Sequence, residues 1–575
     1  MSQVESPSSA GILVALLAGD QASIPSADWE TFRLTGVAHL VSVSGVHVTM
    51  FAWMAIWLVA RCWRAIGAVR PGLFLRVPTF VAAQIGGLTL AAAYAAFSGW
   101  GVPSQRTVLM LGALVVLRLS GRRWPWPVVW LFAMAVVVAV DPWALLQPGF
   151  WLSFVAVGVL FASSVPGQGA SAASPLRSQV LDLLRTQAVV TVALAPLTLW
   201  LFGEFSVVGL LANLPAIPFV TLWLTPLAML GSVVPGLWSV AAVSAEGLMV
   251  WLEWLAQWPW ATVQRPMLPA ALAVFAAVGG ALLVWRGPRS LRLWGLALLW
   301  PSFALSPTRP AQGEFELIAP DIGQGTAVVV RTQHHTLLYD TGPPLGARAT
   351  AAQRVLIPGL NARGDRLNRV FVSHGDSDHA SGVEHIALAF PRADWMASFD
   401  LPWPASVCAS GQHWTWDGVL FEVLHPRPVD YGTGLSDNAM SCVLKVTAAG
   451  GSALLAGDIT VAEETRLALD APELRADLLV AAHHGSHSSS GPVWLNTVQP
   501  RWVVIQAGHR NRYGHPSPQV TRRLQARDIP WFASPACGEF RWSSHAPAQP
   551  ECHRTAARRY WHSDLGARYP DAPAD

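Results

Sequence analysis

The stretch LNRVFVSHGDSDHASG covers residues 367–382. Its apolar, β-branched head reads as a buried strand. The strand runs straight into His374, Asp376 and Asp378, spaced by two, so an extended loop aims all three at one face. His379 follows where a helix can begin. Imidazole and carboxylate together suit Zn²⁺ or Mn²⁺. Two later strand ends repeat the pattern: SALLAGDI (452–459) runs into Asp458, and ADLLVAAHHGSHSSS (476–490) into His483 and His484. One histidine at a strand end is ordinarily a surface residue. Three such ends in this order point to a metal site, provided the strands are neighbours.

Composition divides the chain around this region. Of 575 residues, 52% are hydrophobic and 13% charged, against about 25% charged in a soluble globular protein. A single soluble domain, a disordered chain and a coiled coil are thereby excluded. The 29 tryptophans suit a membrane interface, and a net charge of +3 gives no global basic field for a nucleic-acid partner. Residues 39–306 hold only five acids (Asp141, Asp182, Glu204, Glu246, Glu253) and two histidines, whereas the other 15 of 17 histidines follow residue 306. The expected organisation is an N-terminal segment 1–38, a membrane domain 39–306 and a soluble domain 307–575. The start, MSQVESPSSAGILVALLAGD, lacks a basic n-region and does not read as a secretory signal. Of the five cysteines, Cys408, Cys442, Cys537 and Cys552 lie in the soluble part. They can pair if that part is exported, which spacing alone leaves open.

Apolar runs place membrane segments near 40–60, 78–98, 107–117, 125–140, 150–165, 188–202, 207–232, 238–256, 268–285 and 292–305. A span needs about 20 apolar residues, so the expectation is a polytopic bundle of eight to ten crossings with the third segment re-entrant. Residues 164–176 read as a small-residue loop. Arginines cluster at 61–76, 118–123, 177–185 and 286–292. Alternate placement puts all four clusters on the cytoplasmic side and the soluble domain outside. His39 and His47 stand at the head of an apolar segment, where ionisable groups face a bundle interior or a cavity. Asn213, Pro215 and Pro218 are expected to break a helix beside a substrate path. The alternative for the polar residues is plain cross-bonding between helices.

Five blocks carry a resemblance: GDQ (19–21), F-x-x-TGVAHLVSVSGVHV (32–48), YAAFSGWGVPSQRTVLM (94–110), PGFWLSFVAV (148–157) and the run from FGEFS to AIP (202–218). In order and spacing they resemble the competence domain of the ComEC family. That resemblance implies an inner-membrane channel admitting single-stranded DNA in natural transformation, with His39, His47 and Asn213 as candidate residues along the path. Family members carry an N-terminal OB-like domain, expected here to be absent or lost to a late start codon. The family's Gly-Asp-Arg is Gly19-Asp20-Gln21 in this chain.

The soluble part begins with FELIAPDIGQGTAVVVRTQHHTLLYDTG (315–342) and also contains NRYGHP (511–516). With HxDxDH, GD and HHGS it resembles the metallo-β-lactamase superfamily, an αββα sandwich holding two divalent metal ions, zinc or manganese. The resemblance implies that His374 and Asp376 hold one metal and Asp378 and His379 the other. Asp458 bridges, and His483 or His484 completes the second site, with His483 favoured as nearer the strand. A third-motif histidine is missing near SDNAMS (436–441), where Asn438 is the nearest ligand type. Asp340 is expected to buttress a ligand histidine. Two such metals about 3.5–4 Å apart clamp a phosphodiester and supply hydroxide at neutral pH. Asp378 is the candidate to orient the nucleophile, His515 to protonate the leaving oxygen or grip phosphate, and Ser486 and Ser488 to bind phosphate. The expected function is DNA uptake with an outward nuclease degrading the second strand. A DNA-guiding domain without catalysis, and a phosphodiesterase acting on envelope polymers, remain alternatives. Partners implied are DNA, membrane lipid, a DNA receptor and a separate ATPase motor, since no P-loop is present.

Overall fold

The computed structural model describes residues 4, 6–41, 43–70, 72–163, 175–285, 288–304, 308–346 and 349–559. Most of the small-residue loop expected over 164–176, and Arg286, lie outside the described residues. The chain forms two compact units, Met1–Leu305 and Ser306–Asp575.

In the first unit all ten expected segments are helical, and six helices are long and apolar enough to cross a membrane: Gly45–Val69, Thr79–Phe97, Val102–Leu119, Leu181–Phe202, Gly209–Gly231 and Leu237–Ala256. The third is not the short re-entrant piece expected, because Pro103 starts its first turn well before residue 107. Trp126–Val140, Pro148–Ser163 and Ala270–Val284 are apolar but shorter, and the last expected crossing is an 11-residue helix, Arg289–Leu299. These short helices come in consecutive pairs. In the second pair a Cβ on Gly279 would sit 2.7 Å from the Gly295 carbonyl oxygen, the close approach that small residues allow between apolar helices. Pro7–Ala18 is a further helix whose Ile12, Leu13 and Leu16 are buried in a cluster shared with Leu237–Ala256.

Pro215 and Pro218 do not break their helix. Gly209–Phe219 continues through a wide π turn, Val220–Leu224, into Thr225–Gly231. The wide turn falls after both prolines and just before Pro226, which stands in the first turn of the last segment. At one end of the bundle several connections meet. Ser206 Oγ donates to the Leu34 carbonyl at 2.7 Å, Arg33 pairs with Glu204, and Glu204–Ser206 pairs antiparallel with Thr262–Gln264. A Cβ on Gly19 (φ +74°) would collide with the Ser98 carbonyl.

The second unit is an αββα sandwich. One sheet has seven strands, ordered in space Trp531–Ala533, Trp502–Ile505, Leu478–Val480, Gly451–Leu455, Val443–Ala448, Val419–His425 and His413–Trp416. The other has eight, running Glu551–Cys552, Phe540–Ser543, Glu316–Ala319, Val328–Arg331, Thr336–Tyr339, Arg369–Val372, Asp394–Ala397 and Ser406–Val407. Leu317, Val330, Tyr339 and Phe371 of one sheet pack with Phe421, Leu444, Leu455 and Val480 of the other in the central core. The outer faces are covered by helices, including Val461–Asp470, Pro492–Val498 and Pro518–Gln525 on one side and Ile357–Arg363 and Val383–Ala389 on the other. Strands covered on both faces read as continuous apolar runs, as Val328–Arg331 and Thr336–Tyr339 do, with every residue buried. Disulfides join Cys408 to Cys442 and Cys537 to Cys552, and Cys62 is free and exposed.

One buried carboxylate ties the start of the sandwich together. Asp365 receives Arg309 at 3.0 Å, Arg331 at 2.9 Å and Arg363 at 3.1 Å, and Arg331 is only 5% exposed. Asp365→Ala leaves that guanidinium buried with one carboxylate partner fewer. Removing one partner of a buried pair costs about 3–5 kcal/mol. Urea unfolding of residues 306–575, followed by tryptophan fluorescence, should therefore show a clearly lowered midpoint; an unchanged midpoint would mean that the arginines find other partners.

Candidate metal centre

The strand order brings the ligand-bearing tips together. Thr336–Tyr339 and Arg369–Val372 are parallel neighbours in one sheet, and Gly451–Leu455 and Leu478–Val480 are parallel neighbours in the other. Their C-terminal ends deliver Asp340, His374, Asp458 and the His483-His484 pair to one rim of the sandwich. The short helix Ser377–Ala380 adds Asp378 and His379. Gly325 lets the first loop lie against this helix: its φ is +150° and a Cβ there would collide with the Asp378 carbonyl.

Two groups of ligand atoms result, His374 with His379 and Asp458, and Asp378 with His379 and His484, each lying within 4.8 Å of one another. Asp458 Oδ1 is 3.1 Å from His379 Nε2, and its Oδ2 is 3.5 Å from His484 Nε2. Asp378 Oδ2 is 3.2 Å from His484 Nε2. The outer nitrogens are already engaged. His379 Nδ1 is 2.7 Å from Asp340 Oδ2, and His484 Nδ1 is 3.0 Å from the Gln506 carbonyl. Both contacts keep a proton on Nδ1 and turn Nε2 inward as the atom that a cation would take. Asp340 is itself fixed by Ser373, whose N–H donates at 2.6 Å and whose hydroxyl lies at 2.8 Å.

The interior of this cluster is short of hydrogen bonds. His374 Nε2 and Asp458 Oδ1 are fully buried and make no hydrogen bond, and the Nε2 atoms of His379 and His484 face each other at 3.2 Å. Buried polar atoms normally have partners. Convergent nitrogen and carboxylate atoms, two of them buried without a hydrogen bond, are the donor set for a divalent cation, so the residues fit one. Burial, with His379 beside it, pushes His374 down to about 4, the neutral form that binds metal. Burial would raise Asp458, but His379 and His484 override it and hold the carboxylate well below its usual range. For His379 burial is likewise outweighed, by Asp458 and Asp340, and the imidazole is held well above its usual value, so a cation taken up at its Nε2 would displace a proton.

The geometry corrects several expectations. His484, not the favoured His483, enters the ligand group. Both adopt left-handed backbone (φ +52° and +54°) before Gly485 at φ +74°. The chain thus reverses over two residues, and only the second ring points inward. His483 is a quarter exposed, with Nε2 3.8 Å from Asp458 and Nδ1 3.3 Å from Ser488 Oγ. Asp376 is 47% exposed and 3.5 Å from His374 Nε2, outside both groups. Ser441 of the SDNAMS segment, not Asn438, reaches the cluster: its hydroxyl lies 3.2 Å from His374 Nδ1 and accepts from the Asp458 N–H at 3.0 Å. Ser486 is buried with its hydroxyl 3.0 Å from Ser488 Oγ. His515 lies beside the cluster, its ring 6.3 Å from that of His484 and 6.0 Å from that of His483. Burial, with those imidazoles, pushes it down to about 4. At neutral pH it is an uncharged N–H donor, suited to gripping phosphate rather than to giving up a proton.

In the membrane unit the three path candidates separate. His39 is exposed in the turn before Gly45–Val69. His47 is fully buried, accepts from the Ser44 N–H at 3.2 Å and lies 3.4 Å from Thr225 Oγ1. Asn213 is 8% exposed and donates to the carbonyls of Gly209 at 2.8 Å and Gly36 at 3.4 Å. The last two are joints between helices and loops. Sequence reading missed Ser441, Gln506 and Glu464. The Glu464 carboxylate accepts from the Ser490 and Gly491 N–H groups at 2.6 and 2.7 Å and so pins the loop that follows the histidine pair. None of these lies in a ligand motif, and only three-dimensional proximity reveals them.

Residues 16–289 match the family described as competence protein, and residues 320–509 match the metallo-beta-lactamase superfamily. The chain is 37% identical over 525 residues to competence protein ComA of Neisseria gonorrhoeae, covering 90% of this chain and 72% of that protein. It is 30% identical over 559 residues to the uncharacterized protein YcaI of Escherichia coli, covering 92% and 70%. Against recombination protein 2 of Haemophilus influenzae the identity is 26% over 567 residues, covering 91% and 70%. An alignment that runs through the helical unit and the sandwich together, rather than through either alone, makes this chain a member of the ComEC family of competence proteins.

Proposed function

We propose that the protein carries DNA across the cell membrane in natural transformation, one strand passing through the helical unit while the outward-facing sandwich hydrolyses the other. The cluster of His374, His379, Asp458, Asp378 and His484 carries this reading, because its nitrogen and carboxylate atoms converge and two of them, His374 Nε2 and Asp458 Oδ1, are buried without a hydrogen bond. Divalent ions held there supply Lewis acidity toward a phosphodiester and its attacking water. Asp378, 29% exposed at the solvent side of the cluster, accepts a hydrogen bond from that water and orients it. The His515 N–H binds a non-bridging phosphate oxygen. Water adds at phosphorus, the phosphorus–oxygen bond to the leaving nucleoside breaks, the water gives a proton to solvent, and the leaving oxygen takes one from solvent. The competence name of the Neisseria relative supports DNA as the substrate.

The metal ligands can be tested one by one on the purified chain. Asp458→Ala and His484→Ala should lose bound metal and Mn²⁺-dependent DNA cleavage together, while His483→Ala should keep its metal. His515→Ala should keep its metal and cleave about 10²-fold more slowly, as for loss of one phosphate-directed donor. Metal content by mass spectrometry and cleavage of a labelled duplex give both readouts. A wild-type chain that binds metal but cleaves nothing would favour the DNA-guiding alternative.

Two features support an outward sandwich. Its two disulfides persist in oxidising compartments. In alternate counting, the connections gathered around Leu34, Ser98, Ser206 and Thr262 all fall on the side opposite the arginine clusters, in keeping with their mutual contacts. In intact spheroplasts carrying a Cys62→Ala chain, the half-buried Cys552 should react with an impermeant maleimide only after a reductant is added, and a reporter fused at 288–292 should be active only inside. Labelling that requires lysis would place the sandwich in the cytoplasm.

A further inference from the structure

The loop 508–516 carries a feature that the cluster itself does not need. Tyr513 is 54% exposed, although it stands one step from the metal ligands. Its ring lies 5.6 Å from that of His515 at an interplanar angle of 22°, and His515 lies 6.3 Å from His484 at 24°. Near-parallel rings thus lead from solvent to a ligand histidine. The Arg512 guanidinium lies over the Tyr513 ring, 4.8 Å from its centroid, and donates to the Tyr513 hydroxyl at 2.6 Å.

The loop is fixed. Asn511 acts as a hub: its Nδ2 donates to the Gly508 carbonyl at 2.9 Å and the His515 carbonyl at 2.6 Å, and its Oδ1 accepts from the N–H groups of Tyr513 at 3.1 Å and His515 at 2.9 Å. Gln324 of the first loop anchors it further by accepting from the Gly508 N–H at 2.9 Å. A hub of this kind removes the ordering entropy that an exposed aromatic would otherwise lose on binding. The surrounding sequence is one-signed. From Leu478 to Arg527 there is no Asp or Glu, while Arg501, Arg510, Arg512, Arg522, Arg523 and Arg527 fall within it. An exposed aromatic with an arginine beside it, in a stretch free of acids, matches the stacking and charge that single-stranded nucleic acid requires.

We propose that Arg512 and Tyr513 form a nucleotide subsite at the mouth of the metal centre, Arg512 swinging off the Tyr513 ring to hold a phosphate and so freeing that ring face to stack on the base next to the scissile phosphodiester. The assignment rests on the nuclease reading above and adds to it that the enzyme recognises bases by their faces. It therefore prefers nucleic acid to other phosphodiesters and accepts any base sequence. The other notable tryptophans do not serve this purpose. Trp414 and Trp416 pack against the central core and stand on the edge strand, three strands away from Gly451–Leu455 and its ligand-bearing tip.

The test uses the full chain in detergent with two probes, a short fluorescent oligothymidylate and its abasic counterpart. Cleavage is measured with Mn²⁺ and binding by anisotropy with chelator. Tyr513→Ala should raise KM and Kd for oligothymidylate by about 5–150-fold, the range for one stacked base, with kcat and metal content unchanged. It should leave the abasic strand as in wild type, and Tyr513→Trp should restore binding. Arg512→Ala should weaken both strands alike and lower the slope of log Kd against log salt by about one. Equal losses on both strands for Tyr513→Ala, or none on either, would overturn the subsite while leaving the nuclease intact. A wild-type chain that cleaves neither strand would overturn the nuclease reading and this one with it.

Discussion

The sandwich depends on a buried row of charge running Asp340, His379, Asp458. Asp340 and Asp458 are 0% and 3% exposed and belong to different sheets, and the imidazole of His379 stands between them. Neither carboxylate is tolerable there alone, since an unpaired buried charge carries a large desolvation penalty. Each sheet therefore supplies what the other needs. The contact sets the spacing of the two sheets at the rim and leaves the Nε2 side of the imidazole turned inward. The metal centre is in this sense an extension of the electrostatics that close the fold.

Much of this was legible in the amino-acid order. Parallel strands buried on both faces announce themselves as apolar runs ending in polar tips, but the expected alternation of His374, Asp376 and Asp378 along an extended loop gives way to the short helix Ser377–Ala380, which holds Asp378. What was not legible is decided by single backbone angles. His483 and His484 are identical in chemistry and adjacent in sequence, and only the left-handed turn through both assigns the inner place to the second. The same holds at SDNAMS, where the reach of Ser441, rather than ligand chemistry, determines which side chain meets His374. Asp376 illustrates the reverse case: the right residue at the right spacing is left near the surface because the loop turns into a helix immediately after it.

In the helical unit, hydropathy located the segments well because desolvation of the backbone is a strong and simple constraint. The role of its polar residues was harder to read. His47 and Asn213 lie in the motifs that carry the family resemblance, yet both are absorbed by local bonding to Ser44, Thr225, Gly209 and Gly36. Prolines at 215 and 218 were expected to open a gap and instead stay within a helix that runs on to Gly231. Residue type identifies an unusual place in a membrane helix without saying whether it bends the backbone, joins helices or faces a passage.

The pairing of the short helices has a consequence for how such a chain keeps its orientation. Trp126–Val140 with Pro148–Ser163, and Ala270–Val284 with Arg289–Leu299, are each a hairpin, and a hairpin contributes two crossings or none. Which side the chain finally leaves from is a matter of odd or even, so neither hairpin affects it, whether it traverses the bilayer or dips part-way. The helical unit can gain, lose or shorten hairpins without turning the sandwich to the other compartment. Among the described residues the parity then rests on the six helices long and apolar enough to cross a membrane.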